Sequence, residues 1–182
     1  FIVKNMLPDW AKENTQIIME PFGRDTAAAV CIAALSVKDP NDIILMLPSD
    51  HYIPDQEAFS KTAQKALPLA ENGHIVALGM APTSPHTGFG YIERGDKKDN
   101  GYQIISFHEK PTLKRAKEYI ADNNYFWNAG IFMMRAQTLV DEIEKYAPDI
   151  LSIARDTWNA RQNDLGDDLL DPKSFKKIRA TS

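Results

Sequence analysis

The chain has 182 residues, of which 43% are hydrophobic and 25% are charged, and its formal net charge at pH 7 is −4. These values are typical of an ordinary soluble protein and favour neither a disordered nor a fibrous class, while the acidic balance argues against a nucleic-acid-binding surface. No apolar stretch approaches the roughly 20 residues that span a bilayer, and Cys31 is the only cysteine. We therefore expect a cytoplasmic protein with no membrane segment and no internal disulfide.

The first half of the chain alternates between predicted strands and helices. Strands are predicted at residues 17–19, 42–47 and 74–78, and helices at residues 27–37 and 56–72. Asp25 and Thr26 are suited to cap the first helix, in which Cys31 is predicted to be a small core residue, whereas Pro68 is expected to kink or interrupt the second helix. Repeated strand–helix–strand segments imply βαβ units and a mainly parallel sheet.

The second half of the chain begins with a different sequence pattern. Glycine and proline residues punctuate two strand-like runs joined by a polar turn, which predicts a small antiparallel insertion. These runs and the helices that follow them are predicted at residues 91–94, 102–108, 113–123, 137–146 and 148–161. Acidic residues 163–171 are interpreted as a solvated loop. The predicted fold class is α/β, a Rossmann-like mixed and mainly parallel sheet flanked by helices, in one domain over residues 1–182.

The end of the predicted strand 42–47 is the most informative local feature, because Pro48-Ser49-Asp50-His51 follows it directly. In open α/β sheets, ligands bind outside the carboxyl ends of the strands. Asp50 follows the proline that ends the strand, so its carboxylate is placed to meet a ligand or to hold a metal ion. The alternative interpretation is that Asp50 caps the helix that begins near Gln56.

Four further motifs accompany this junction in a fixed order. The five are EPFGRDTAAAV at 20–30, PSDH at 48–51, TGFGYI at 87–92, FHEKP at 107–111 and YFWNAGIF at 125–132. In this order they resemble the sugar-1-phosphate nucleotidylyltransferases. The first motif resembles that of the bacterial mannose-1-phosphate guanylyltransferases, which make GDP-mannose. The resemblance runs from about residue 17 to about residue 150 and implies a nucleotide-diphospho-sugar transferase fold.

Two of these motifs are implied by the resemblance to bind the nucleotide. Arg24, Asp25 and Thr26 would contact it, aided by the dipole of the helix that follows. Pro48 and Ser49 would line the same site. Asp25 stands where the family more commonly has Asn, and this departure bears on the contact with the base.

The other residues that the resemblance singles out are catalytic or bind the sugar. Asp50 would hold Mg²⁺, a hard cation that prefers oxygen ligands, and Lys110 would neutralise the phosphate of the sugar phosphate. Gly90 would let the backbone approach the sugar, while Glu109 and Asn128 would hydrogen-bond its hydroxyls. From the residues alone, Glu109 and Lys110 also fit a surface ion pair. Gly90 and Asn128 also fit ordinary turn positions.

The activity implied by the resemblance is attack of mannose 1-phosphate on GTP, with Mg²⁺ as the cofactor and GDP-mannose and pyrophosphate as the products. Two alternatives stay open: a sugar-nucleotide-binding module without catalysis, and a related nucleotidylyltransferase that uses another base or sugar. The chain contains no Gly-x-Gly-x-Arg loop, which the family places near its N-terminus, and it stops before the family's second metal-binding Asp. We therefore expect a domain truncated at both ends and inactive alone. The resemblance leaves open whether the parent is a homo-oligomer or carries a C-terminal isomerase domain.

Overall fold

A computed structural model describes residues 6–181. Within them, the residues up to Ser36 and from Val140 onward form one compact unit, called unit 1, and Val37–Leu139 form a second, called unit 2. Among the described residues, no helix combines the length and the apolar character needed to cross a bilayer.

The helices and strands have the following bounds in chain order: α1 (Asp9–Lys12), β1 (Ile17–Met19), α2 (Asp25–Ser36), β2 (Ile43–Met46), α3 (Gln56–Glu71), β3 (Val76–Met80), β4 (Tyr91–Lys98), β5 (Gly101–His108), α4 (Leu113–Asp122), β6 (Tyr125–Arg135), α5 (Ala136–Tyr146), α6 (Pro148–Asn159), β7 (Gln162–Asp164), β8 (Asp167–Leu169) and α7 (Pro172–Phe175). Most predicted elements are therefore present, with ends displaced by a few residues. Of the two effects expected of Pro68, a kink or an interruption, the interruption does not occur, because α3 runs through it. It lies near the end of that helix, which the Asn72 N–H closes by donating to the carbonyls of Pro68 and Ala70.

The sheet of unit 2 is organised around the long strand β6. Met133 of β6 pairs with Leu45 of β2 on one edge and with Val76 of β3 on the other. Farther along, β4 pairs with the first residues of β6, and β5 pairs with β4 as the predicted hairpin. All of these pairings are antiparallel, so the prediction of a mainly parallel sheet is wrong here. β2 and β3 are parallel to each other, as a βαβ unit requires, but the antiparallel β6 lies between them.

Two apolar clusters hold this sheet against its helices. Ala66 and Ala70 of α3 pack on Met133, with Ile43, Leu45 and Val76 around them. Ala116 and Tyr119 of α4 pack on Tyr91, with Tyr125 and Trp127 at the edge of the cluster. The small alanine side chains let both helices lie close to the strands, which holds β2, β4 and β6 against α3 and α4.

Unit 1 has its core between α2 and the C-terminal helices. Cys31 is completely buried, as predicted, alongside Ala28 and Ala154. Burial raises the pKa of the Cys31 thiol to about 11, with Arg155 acting in the opposite direction, so the thiol behaves as a small apolar core group.

The interpretation of residues 163–171 as a solvated loop is wrong. They contain β7 and β8, joined by a two-residue turn at Leu165 and Gly166, whose φ angles are 50° and 86°. Two consecutive positive φ angles match the twist of a hairpin. β8 also pairs in parallel with β1. Asp168 is buried there and accepts hydrogen bonds from Gln16 at 2.7 Å and Arg161 at 3.1 Å, so these long-range partners order a segment that looks solvated in the sequence.

Candidate active site

The loop that follows β2 is held beside β6 by a close backbone approach. A Cβ atom added to Gly130 would stand 3.3 Å from Cγ of Pro48, and Gly130 has a φ of 66°. A side chain at this position would be strained by the backbone angle and would press on the proline. Pro48 is thereby fixed against the strand, while Ser49 and Asp50 continue outward as an exposed turn.

Asp50 is not the cap of the following helix. That role belongs to Asp55, whose carboxylate accepts a hydrogen bond from the Ala58 N–H at 2.9 Å. Within residues 6–181, the Asp50 carboxylate is exposed and has no side-chain hydrogen bond or ion pair. No group of three or more metal-binding side chains occurs among the described residues. A lone, free carboxylate still suits Mg²⁺, which usually takes one or two protein carboxylates and completes its shell with water and substrate phosphates.

Three residues predicted from three separate motifs meet at Gly90. A Cβ atom on Gly90 would stand 2.8 Å from Oε2 of Glu109, 3.2 Å from the Phe107 ring and 3.5 Å from Cβ of Asn128. The cause is the strand register, because Tyr91 of β4 pairs with His108 of β5 on one side and with Trp127 of β6 on the other. The site residues follow or precede these paired residues by one position. We call Gly90, Glu109 and Asn128 the sugar-side cluster.

Asn128 is oriented by its own turn. Its backbone N–H donates to the Gly90 carbonyl at 2.8 Å, and its side-chain Oδ1 accepts from the Gly130 N–H at 3.0 Å. Asn128 lies within β6, and this local hydrogen bond occupies the oxygen of its side chain. The amide nitrogen has no partner within residues 6–181 and remains a donor for a ligand.

Lys110 lies just after the end of β5 and has an unusual backbone conformation. Its φ is 43°, in the left-handed region that lysine rarely adopts. This turn lets the side chains of Glu109 and Lys110 occupy neighbouring space, with Lys110 Nζ 3.8 Å from Glu109 Oε1. The lysine side chain is 68% exposed and the glutamate side chain 60%, so the ion pair stabilises the fold little and leaves both groups available.

A polar network behind the sugar-side cluster was not predicted. Ser106 Oγ lies 2.5 Å from Glu93 Oε2 and 2.7 Å from His108 Nε2. Both contacts are satisfied when the His108 Nε2–H donates to Ser106 and the Ser106 hydroxyl donates to Glu93. Burial and the Glu93 carboxylate also raise the pKa of Tyr125. The sequence does indicate part of this network, because Ser106 and His108 are two residues apart on one strand and so lie on the same face. Only the strand register, however, places Glu93 opposite Ser106.

The predicted nucleotide-side segment, Arg24 to Thr26, lies in unit 1 at the start of α2. Arg24 donates to the Lys176 carbonyl at 2.8 Å and its guanidinium lies 5.0 Å from the centre of the Phe22 ring. Asp25 has a φ of 56°, and the Ala27 N–H donates to the Thr181 carbonyl at 3.0 Å. The side chains of Asp25 and Thr26 are exposed. The helix therefore begins at Asp25, two residues earlier than predicted, and protein groups occupy part of its first turn.

Residues 1–170 match the family described as Nucleotidyl transferase. The chain belongs to this nucleotidyl transferase family. Among its relatives, the mannose-1-phosphate guanylyltransferase of Escherichia coli K12 is 38% identical over 184 residues, a span that includes 96% of this chain. The chain spans only 38% of that relative's length.

Two solved structures show how this nucleotidyl transferase chain folds. A mannose-6-phosphate isomerase from Helicobacter pylori superposes with a TM-score of 0.82 at 31% identity, covering 92% of this chain and 65% of that one. A protein from Thermus thermophilus, named mannose-1-phosphate geranyltransferase, superposes with a TM-score of 0.80 at 31% identity, covering 94% of this chain and 49% of that one. These similarities confirm the predicted α/β fold class and the predicted family.

Proposed function

We propose that this nucleotidyl transferase chain takes part in transfer of a guanylyl group from GTP to mannose 1-phosphate, giving GDP-mannose and pyrophosphate. The observation that carries the proposal is the sugar-side cluster, with Lys110 directly after Glu109. It offers a carboxylate, an amide donor and a close backbone beside an accessible cation. These groups suit a phosphorylated sugar, and relatives named mannose-1-phosphate guanylyltransferase support mannose and guanine.

The chemistry needs no protein nucleophile. An oxygen of the sugar phosphate attacks the α-phosphorus of GTP, the bond from that phosphorus to the bridging oxygen breaks, and pyrophosphate departs with the electron pair. In this proposal, Lys110 holds the incoming phosphate and offsets its charge. Glu109 accepts hydrogen bonds from sugar hydroxyls, and the free amide nitrogen of Asn128 donates to another. The rate enhancement would come from positioning and charge stabilisation.

Asp50 is the proposed protein ligand of Mg²⁺. Its exposed and unpartnered carboxylate leaves room for phosphate oxygens and water in the remaining coordination positions. When bound, the ion would neutralise charge on the triphosphate. Arg24, Asp25 and Thr26, together with Pro48 and Ser49, are proposed to contact the nucleotide. For Arg24, this means giving up its bond to the Lys176 carbonyl.

The proposal is tested in the full natural polypeptide that carries this chain. We expect Mg²⁺-dependent pyrophosphate release only when GTP and mannose 1-phosphate are both present. A panel with ATP, UTP and dTTP, and with glucose 1-phosphate, separates the related transferases. Faster turnover with another pair would reassign the substrates. Binding of GDP-mannose without any pyrophosphate release would replace the proposal with the non-catalytic binding module.

A further inference from the structure

Unit 2 contains a groove of about 790 Å³ between helix α3, strand β3 and the β4–β5 hairpin. None of the residues assigned above to the nucleotide, the metal or the sugar lines it. Its floor is apolar, with Leu69, Ile75, Ala77, Ile104 and Phe126. A groove of this size and mixed lining is in the range that holds small-molecule ligands.

The groove is positively charged in a chain that is acidic as a whole. Lys65, Arg94 and Lys98 line it together with His74, and no Asp or Glu of the described part of the chain is among its lining residues. Within residues 6–181, neither Lys65 nor Lys98 forms an ion pair. By contrast, Lys61 on the same helix is bonded to Glu57 at 2.6 Å. The groove therefore presents unneutralised cations to whatever enters it.

Two of these cations lie on elements that pack against each other at the groove. Lys98 pairs with Gly101 at the end of the hairpin. A Cβ atom on Gly101 would stand 2.8 Å from Cδ1 of Leu69 on α3, so the hairpin end and this helix pack closely here. Lys65 precedes Leu69 by four residues and therefore lies on the same face of the helix. Both lysines line the groove.

The third cation, Arg94, lies beside two aromatic rings. Its guanidinium carbon lies 4.9 Å from the centre of the Tyr102 ring and 5.2 Å from that of the Phe126 ring. It also donates to Asn124 Oδ1 at 3.1 Å, which fixes its orientation. Tyr102 is 54% exposed, so much of its surface is free to contact a planar group. The groove thus combines a cationic end with an apolar and aromatic wall.

We propose that this groove binds a nucleoside diphosphate at a site distinct from the proposed active site. The two phosphates would lie between Lys65 and Lys98, and the base would lie against Tyr102 and the apolar floor. Free phosphate or pyrophosphate would satisfy only the cationic end, and a nucleoside only the wall. A nucleoside diphosphate uses both.

The test is equilibrium titration of GDP in the presence of EDTA, which removes the metal-dependent mode proposed for Asp50. The double variant Lys65→Ala/Lys98→Ala should bind GDP about tenfold more weakly, because each exposed charge contact contributes about two- to fivefold. Its affinity should also depend less on salt concentration. The matched control is Lys61→Ala/Lys97→Ala, which removes two lysines from the same helix and strand that do not line the groove.

A second pair of variants tests the aromatic wall. Tyr102→Ala should weaken GDP and guanosine binding but leave pyrophosphate binding unchanged, while Tyr102→Phe should keep all three. Equal losses in the groove variant and its lysine control would overturn the proposal, as would unchanged GDP affinity in the groove variant. Loss of self-association in the groove variant, measured by sedimentation without ligand, would instead identify the groove as an interface between copies. These readouts involve no turnover, so they stand or fall separately from the proposed reaction.

Discussion

The sugar-side cluster and the nucleotide-side segment differ in what holds their functional groups. In the sugar-side cluster, backbone bonds and strand register fix the residues, while the Glu109 carboxylate and the Asn128 amide nitrogen remain accessible, as does the ammonium of the adjacent Lys110. In the nucleotide-side segment, the functional groups themselves hold the structure. Arg24 is bonded to the Lys176 carbonyl, and the Ala27 N–H to that of Thr181.

The functional groups proposed to bind the sugar phosphate are therefore largely free, whereas Arg24, proposed to bind the nucleotide, is already bonded within the protein. A sugar phosphate could meet its partners without displacing a protein contact, apart from the weak pair between Glu109 and Lys110. A nucleotide that uses Arg24 has to replace an existing hydrogen bond, which lowers the net gain from binding. Variants on the sugar side should therefore show larger and cleaner effects than variants of Arg24.

The largest effect is expected at Asp50. Asp50→Asn preserves shape but removes the charge that Mg²⁺ requires, so in the full natural polypeptide kcat should fall by about a hundredfold or more. Steady-state kinetics over a Mg²⁺ series checks this. Asp55→Asn is the control from the same loop, since asparagine also caps helices and activity should persist. Near-normal kcat for Asp50→Asn at low Mg²⁺ would show that Asp50 is a turn residue and does not bind the metal.

Lys110 is next in expected magnitude. Lys110→Ala leaves the sugar phosphate unneutralised, so kcat/KM for mannose 1-phosphate should fall by about one to two orders of magnitude. Equilibrium binding of GTP should stay the same, and Lys114→Ala on the neighbouring helix should change neither. If GTP binding weakens while the dependence on sugar phosphate is untouched, the assignments of the two sides are reversed.

Glu109 should control discrimination more than speed. Glu109→Gln keeps an acceptor but loses its charge, so the preference for mannose 1-phosphate over glucose 1-phosphate should drop by about tenfold, the scale of one lost polar contact. Gly90→Ala should act in the same direction, because its new Cβ would stand 2.8 Å from Glu109 Oε2 and displace that carboxylate. Competition kinetics with both sugar phosphates measures the ratio. Unchanged discrimination in both variants would place the sugar elsewhere.

The smallest effect concerns unit 1, which carries the nucleotide-side segment. The hydrogen bond from Gln16, followed by the contact with Arg161, lowers the pKa of Asp168 against the opposing effect of burial. A lowered folded-state pKa contributes stability above the ordinary pKa of Asp, and that stability is lost as the pH falls through the lowered value. Asp168→Asn should destabilise by about 1–2 kcal/mol at neutral pH.

This loss should shrink as the solution is acidified, because protonation of Asp168 removes the same interaction in the unmodified chain. Denaturant unfolding at pH 7 and at pH 3 measures both values. Asp164→Asn in the exposed end of the same hairpin serves as the control. If Asp168→Asn lowers the free energy of unfolding by the same amount at both pH values, the charge of Asp168 does not stabilise the hairpin.

Local sequence pattern predicted the elements well and their long-range partners poorly. The positions of β5, β6 and α4 follow from alternation, glycine punctuation and helical spacing, and the three sugar-side residues were chosen from separate motifs. The sequence did not show that β6 runs antiparallel to its neighbours, because an apolar run does not specify the direction of the strands beside it. β8 was missed for a related reason: its Asp residues look solvated until Gln16 and Arg161 are known to be partners of Asp168.

The polar network of Glu93, Ser106 and His108 shows the same limit within the site. Ser106 and His108 alternate on one strand, but Glu93 joins them only through the antiparallel register of β4 with β5. Asp50 illustrates the converse. The sequence suggested Asp50 as an alternative helix cap, but the structure gives that role to Asp55, which accepts from the Ala58 N–H.

The left-handed backbone of Lys110 sets up a conflict between robustness and activity at one position. A non-glycine residue at a φ of 43° carries a conformational penalty of about 1 kcal/mol or more. Glycine would relieve this strain, so a screen for heat-resistant variants would favour Lys110→Gly. The same variant would lack the only side chain proposed to neutralise the sugar phosphate. Engineering for thermal tolerance should therefore hold position 110 fixed and seek its gains elsewhere.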